Sequence, residues 1–468
     1  MRLAICKHSA LRCLRHLRRV NGRAWPLGRR CDLSSPDPSP YQRWSRKRVE
    51  SERRRLFGRD VPGSALEVAV PHEGERIALS LVRNTIYARG LPEGAFVQVT
   101  PGLRMSSPEL LFVELANELS PLQHLLLGYE LCGAYAFDPI DPRHGEASMG
   151  LAPVTSVRTI RGFLDRARGV RGLDKARETL RFLSDNAWSP AEGALAALLA
   201  LPLERYGYGF GPCLLNGRIQ TPAELAGTTN ARSRVPDIMI PGTKVGINYD
   251  GAGHLDLGRV SDAAREQALH PQSAHAKRSL QESLDAVRGK AVDDIRRNRE
   301  LSAQGLVVFP VVKEDLRAPH GLDRVVRQML LAMDTPARAR HAFLAELLDT
   351  SFAARERQML VSAAFFGTPF RLQGERTEAV VRLRKRARFK QFAGVSAAKI
   401  LQTQVNCDDT VTMVARGRRH QYDESALTRH RMTCALRSIR PRYGFLRRRR
   451  KVIRVTVVEV GLPHFLCL

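Results

Sequence analysis

The stretch that most constrains the fold lies between residues 235 and 312. Two apolar runs, Val235-Pro236-Asp237-Ile238-Met239-Ile240 and Lys244 to Asp250, flank the turn signal Pro241-Gly242-Thr243. Short apolar runs joined through Pro-Gly read as a β-hairpin. Farther on, Asp294, Arg297, Leu301 and Gly305 recur at helical spacing, and the unbroken apolar run Leu306-Val307-Val308-Phe309-Pro310-Val311-Val312 follows. A hairpin, a helix and a fully apolar strand in that order predict an α/β fold, with a mixed sheet flanked by helices near 190–201 and 291–304.

The hairpin also decides which side chains meet. If Ile240 faces Val245 across the turn, Asp237 lies opposite Asn248, with roughly 5 Å between the side chains. Alternation puts Asn248 and Asp250 on one face and Ile247 and Tyr249 on the other. A slip of two residues would still leave Asp237 beside Asp250. Two carboxylates converging from adjacent strands suit Mg²⁺ or Mn²⁺, hard cations bound through oxygen, and Asn248 would supply a third, uncharged oxygen. Gly251-Ala252-Gly253-His254 follows the strand directly. An imidazole on a glycine-flexed loop can reach the ion's water shell as a general base, or it can simply be solvated.

Two helices complete the constellation. Ser189-Pro190-Ala191-Glu192 opens a helix containing Leu195, Leu198 and Leu199, so Glu192 sits in the first turn, where the helix dipole favours negative charge. It reads equally as an ordinary helix-start glutamate or as a group orienting a metal-bound water. Asp294 and Arg297 share a helix face one turn apart. They form either a surface ion pair, worth well under about 1 kcal/mol, or a site in which Arg297 neutralises charge on a scissile phosphate.

With these pieces in order, residues 188–315 resemble the very-short-patch-repair-like endonuclease domain of the PD-(D/E)XK superfamily. The matching elements are Glu192, Asp237, Asn248-Tyr249-Asp250-Gly251-Ala252-Gly253-His254, and Asp294-x-x-Arg297-x-x-x-Leu301-x-x-x-Gly305. The resemblance implies a restriction-endonuclease-like fold, hydrolysis of DNA phosphodiesters and a divalent cation. Residues 66–136, through Ser107-Pro108-Glu109-Leu110-Leu111 and Leu127-Gly128-Tyr129-Glu130-Leu131-Cys132-Gly133, resemble the region preceding this domain in actinobacterial proteins similar to AbiEi-type abortive-infection antitoxins. That likeness implies a bacterial setting and a toxin or defence-system partner. Two departures stand out: Asn248 replaces an acidic residue, and 255–290 is a long polar insertion. Both would suit a degenerate copy that binds DNA without cutting it.

Charge distributes unevenly over the rest of the chain. Residues 1–60 hold 17 basic and 5 acidic residues, residues 371–468 hold 23 and 7, and the middle is neutral within a net +28. Polyanion binding is therefore expected of the two ends, which otherwise read as solvated, poorly ordered flanks. The acid-free first 31 residues would also suit an organellar presequence, though no other feature supports one. Eight scattered cysteines without a Cys-x-x-Cys pair speak against structural zinc and a disulfide framework, and fit a cytoplasmic setting. The longest apolar run, Ala194 to Leu203, is too short to span a bilayer. No aromatic-rich RNA-recognition motif is present.

The organisation expected is a basic segment over 1–62, a small α+β domain over 63–170, the endonuclease-like domain over 171–318, a helical extension over 319–370 and a basic region of unassigned fold over 371–468. Within the α+β domain, strands are expected at Leu66–Val70, Ile77–Leu81 and Phe96–Val99, with helices opening at Ser107-Pro108 and covering 121–132.

Overall fold

A computed structural model describes residues 3–22, 28–36, 44–57, 65–225, 232–250 and 257–367, with the backbone of four strands between 403 and 460. Packing divides the chain into two units, Met1–Pro202 with Tyr206–Phe370, and Leu203–Arg205 with Arg371–Leu468.

The N-terminus is no solvated flank. Strand β1 (Leu3–Ile5) is buried along its whole length, and helix α1 (Lys7–Asn21) turns Ala10, Leu11, Cys13 and Leu14 inward. Strand β2 (Arg29–Cys31) and helix α2 (Arg46–Phe57) follow, then β3 (Leu66–Val70), β4 (Val82–Ile86), β5 (Phe96–Thr100) and β6 (Leu103–Ser106). These strands form one mixed sheet in the order β2-β5-β6-β1-β3-β4, with β1 parallel to β6 and antiparallel to β3. The expected boundary near residue 62 therefore does not exist as a break in the sheet. Ile77–Leu81 is not a strand either. Asn84 of β4 clasps the backbone N–H and carbonyl of Ile77 at 2.9 and 3.0 Å, and it is Val82–Ile86 that pairs with β3.

Charge binds this segment to the body. Arg15 makes a two-pronged pair with Glu130 at 2.7 and 2.6 Å, and Arg30 another with Glu109 at 2.6 and 3.1 Å. Lys7 pairs with Glu118 at 2.6 Å and Arg19 with Asp138. Buried Arg18 donates to the carbonyls of Glu130, Gly133 and Ala152. Lys7, Arg15, Arg19 and Arg30, which composition assigned to a polyanion, are thus matched by acids of the chain's own neutral middle. The start of α1 is held the same way: Cys6 caps nothing with its side chain, but Glu114 accepts the Lys7 N–H at 2.8 Å and Glu67 accepts the Ser9 N–H at 3.0 Å. Carboxylates there satisfy orphan donors at the positive end of the helix dipole.

Helix α3 (Pro108–Leu115) is buried at every residue and capped by Ser107, and α4 (Pro121–Cys132) carries a capping box from Ser120 to Gln123. The completely buried carboxylate of Glu114 also accepts from Tyr87 at 2.6 Å and Ser106 at 2.8 Å. His124 stacks on Phe112, with Nε2 2.7 Å from the Phe112 carbonyl and Nδ1 2.9 Å from the Thr179 hydroxyl. A carbonyl only accepts, so Nε2 carries a proton, and burial lowers the imidazole to about 4. The short pair β7 (Tyr135–Ala136) and β8 (Ser148–Met149) leads to α5 (Val157–Arg166), α6 (Leu173–Leu180) and α7 (Pro190–Ala200). Helix α7 is apolar beyond Glu192 and packs against α4, and a Cβ on Gly193 would lie 2.7 Å from the hydroxyl of Tyr135 in β7.

Beyond α7 come β9 (Leu214–Leu215), the pair β10 (Ile219–Gln220) and β11 (Ser233–Arg234), then β12 (Ile238–Met239) and β13 (Val245–Asp250). The expected polar insertion is a helical hairpin of α8 (Leu257–Leu269) and α9 (Ala274–Ala303). Thirty residues make α9 about 45 Å long. Gly305, at φ +73°, ends it: Gly305 N–H reaches the Ser302 carbonyl and Leu306 N–H the Leu301 carbonyl, the paired closure that a left-handed glycine permits. Strand β14 (Val307–Val312) then completes a four-stranded mixed sheet, β14-β13-β12-β9, with β13 and β14 parallel and the other pairs antiparallel. The chain is thus mixed α/β, with mixed sheets flanked by helices.

The expected helical extension is α10 (Lys313–Arg317), α11 (Gly321–Ala332), α12 (Thr335–Arg340), α13 (Ala342–Leu348) and α14 (Ser351–Phe366). Buried Arg357 of α14 grips Asp323 of α11 at 2.8 and 2.9 Å, and Tyr208 donates to the same carboxylate at 2.8 Å. In the second unit, β15 (Thr403–Val405), β16 (Thr410–Val414), β17 (Arg416–Tyr422) and β18 (Arg454–Val460) pair in the order β15-β16-β18-β17.

Candidate active site

The hairpin register is the one that turn chemistry predicts. Ile238 pairs with Ile247 and the Ile240 N–H bonds the Val245 carbonyl, which sets Asp237 opposite Asn248. The two side chains then brace the strand ends reciprocally. Asn248 Oδ1 accepts the Asp237 N–H at 3.0 Å, and Asp237 Oδ2 accepts the Tyr249 N–H at 2.7 Å. Asn248 is 2% exposed. Its oxygen accepts a backbone N–H, so Asn248, read from the sequence as a third metal ligand, acts in the fold as a hairpin brace. Gly246 is needed beside it: a Cβ there would lie 2.5 Å from the Ile238 carbonyl and 2.3 Å from the Met239 sulfur.

Burial pushes the Asp237 carboxyl up to about 6. The Tyr249 N–H opposes that rise, the negative charges of Glu192 and Asp250 reinforce it, and Arg297 counters it. Charges from three separate parts of the sequence therefore bear on the Asp237 carboxyl. Asp250, half-buried, ends β13. Arg297 is mostly buried (its side chain 15% exposed) and holds Asp294 at 2.9 Å, while its buried Nε has no hydrogen-bond partner among the described residues. Arg234 of β11 fixes this part of α9 by gripping Glu300 at 2.7 and 3.2 Å and Asp293 at 3.0 Å. His254 and its flanking glycines lie outside the described residues.

Glu192 is only 8% exposed and heavily engaged. Oε1 accepts from Ser189 at 2.8 Å, while Oε2 accepts the Trp188 N–H at 2.9 Å and Asn216 Nδ2 at 2.6 Å. Ser189 in turn caps α7 through the Glu192 N–H. So Glu192 is a reciprocal cap whose charge also bears on Asp237.

Two asparagines central to this arrangement escaped the sequence reading. Asn216, in the left-handed region at φ 49°, donates its N–H to the Asp237 carbonyl and its Nδ2 to both Asn186 O and Glu192. Asn186, also left-handed, donates to the Leu215 carbonyl and accepts from the Trp188 indole at 2.9 Å. Asn216-Gly217 was a legible turn signal, but nothing local connected it to Glu192.

A buried carboxyl whose proton affinity neighbouring negative charge raises is chemically suited to a cation, and Mg²⁺ needs only one or two carboxylates beside its waters. Asp237 and Asp250 fit that requirement. Among the described residues, no group of three or more His, Cys, Asp or Glu side chains is arranged to hold a metal. No helix among them is long and apolar enough to cross a membrane.

The arrangement defines a helix-flanked mixed sheet with an acidic, partly buried site at one strand end. Comparison of the chain with protein-family models, curated proteins and solved structures found no match.

Proposed function

We propose that this protein is a metal-dependent DNA endonuclease of the very-short-patch-repair-like type, with its site at the ends of β12 and β13. The observation that carries the reading is that Asp250 of the same hairpin, and Glu192 and Arg297 from distant parts of the sequence, all bring their charge to bear on the buried Asp237 carboxyl. Asp237 and Asp250 would hold Mg²⁺ or Mn²⁺, which when bound activates water and neutralises phosphate charge. Arg297, with a buried donor left over, steadies the phosphate. Glu192 holds the α7 terminus in place and adds negative charge near the ion. A reducing, cytoplasmic setting fits the buried free thiols Cys6, Cys132 and Cys213.

A plasmid-nicking assay with Mg²⁺ or Mn²⁺ tests this directly. The native protein is expected to nick and Asp250→Ala to be silent; equal nicking by both would reject the assignment.

Asn248 favours a second reading, a non-catalytic DNA-binding regulator on the same scaffold. That protein would bind DNA without metal, in a strongly salt-dependent way, and break no strands. Asn248→Glu separates the two, since a glutamate could still accept the Asp237 N–H while adding the missing charge. Cleavage gained only by this variant would support the regulator reading of the native chain.

A further inference from the structure

We propose that Trp188 is a stacking platform for an unpaired nucleobase of the DNA strand presented to Asp237 and Asp250, an inference that rests on the nuclease reading above. Trp188 is 45% exposed, whereas Tyr129, Tyr135, Tyr206, Tyr208, Phe96 and Phe112 are fully buried. A large aromatic surface left in water forgoes the burial that normally drives such a ring inward. Here the ring is restrained at its edge. The indole N–H is held by Asn186 Oδ1 at 2.9 Å, and the residue's own amide is held by Glu192 Oε2 at 2.9 Å.

Those anchors connect to the acidic site. Asn216 Nδ2 bonds Asn186 O at 2.8 Å and Glu192 Oε2 at 2.6 Å, and its backbone N–H bonds the Asp237 carbonyl at 2.9 Å. An exposed indole is therefore fixed by an unbroken hydrogen-bond path to the strand that carries Asp237. Both anchoring asparagines adopt left-handed backbone, at φ 74° and 49°, a conformation uncommon for residues other than glycine. A pre-positioned π-face of this kind suits a base without regard to its identity. Bases within a duplex are already stacked, so the platform selects a strand that is single or locally unpaired.

The test uses the full chain in EDTA, titrated against a fluorescein-labelled oligothymidylate of about 12 nucleotides and, separately, a blunt duplex. Trp188→Ala is expected to weaken binding of the single strand on the order of 10- to 100-fold, with Trp188→Phe within about threefold of native and duplex binding little changed. Intrinsic fluorescence provides a second measurement: quenching by an unlabelled oligothymidylate should be present in the native protein and lost in Trp188→Phe. Unchanged single-strand affinity in Trp188→Ala, no rescue by phenylalanine, or quenching that survives in Trp188→Phe would each overturn the proposal. Should the native protein nick nothing while Trp188-dependent binding persists, cleavage alone is refuted. Should it nick while Trp188→Ala binds the single strand normally, the platform alone is refuted.

Discussion

Two buried titratable groups, Glu114 and His124, should impose opposite pH dependences on stability, and removing either should expose the other. Burial raises the Glu114 carboxyl from an ordinary 4.5 to about 7, against the opposing pull of the Tyr87, Lys7 and Ser106 donors. Its folded value lies above its unfolded one, so its contribution is fully present below about 4.5 and is lost as pH rises through about 7. Burial lowers the His124 imidazole from 6.5 to about 4, so its contribution is present above 6.5 and is lost as pH falls through about 4. At about 1.4 kcal/mol per pH unit, each effect amounts to about 3 kcal/mol. The windows overlap and the signs oppose, so these two groups largely cancel between pH 5 and 6.5 in the native chain. The assay is urea unfolding at a series of pH values, read as variant minus native so that other groups drop out. Glu114→Gln should gain about 3 kcal/mol on the native protein as pH rises from 4.5 to 7, and His124→Gln about the same as pH falls from 6.5 to 4. Difference curves that stay flat across these ranges would refute the raised Glu114 carboxyl and the lowered His124 imidazole.

Other outcomes follow from the geometry. Gly246→Ala should cost about 1–3 kcal/mol in chemical denaturation, because the added carbon meets a backbone carbonyl that cannot swing aside. Deletion of residues 1–22 should abolish cooperative unfolding altogether, since it removes a strand from within the first sheet; a truncated chain with a sharp transition would contradict the topology. If Asp237 must be ionised to hold the ion, Mg²⁺-dependent nicking should fall about tenfold per pH unit below about 6, and a rate independent of pH from 5 to 8 would disconnect Asp237 from the reaction.

What could be read along the chain was whatever depends on near neighbours. The hairpin register and the helix starts at Ser107-Pro108 and Ser189-Pro190 all follow from interactions within a few residues, and each stands as the pattern predicted. The candidate residues were legible to the same extent: Asp237 because the turn sets it opposite Asn248, Asp250 because alternation puts it on the Asn248 face, Glu192 and Arg297 because they mark a helix start and a helix face. The misreading at Ile77–Leu81 shows the limit. Alternating apolar residues were present, but Asn84, seven residues on, took the backbone groups that a strand partner would have used.

Tertiary structure decided what depends on partners far apart in sequence. Composition made the first 60 residues a cationic tail, yet β1 lies inside a sheet because Glu67, Glu109, Glu114, Glu118 and Glu130 stand where its neighbouring segments need them. The hydrogen bonds of Asn248 and Glu192 were decided the same way: each side chain accepts a backbone N–H that burial would otherwise leave unpaired. The sequence by itself determined local geometry, through steric and hydrogen-bonding rules that act over a few residues. Which charges and amides pair across the chain was decided only on folding, because an unpartnered polar group is costly inside a protein and cheap in water.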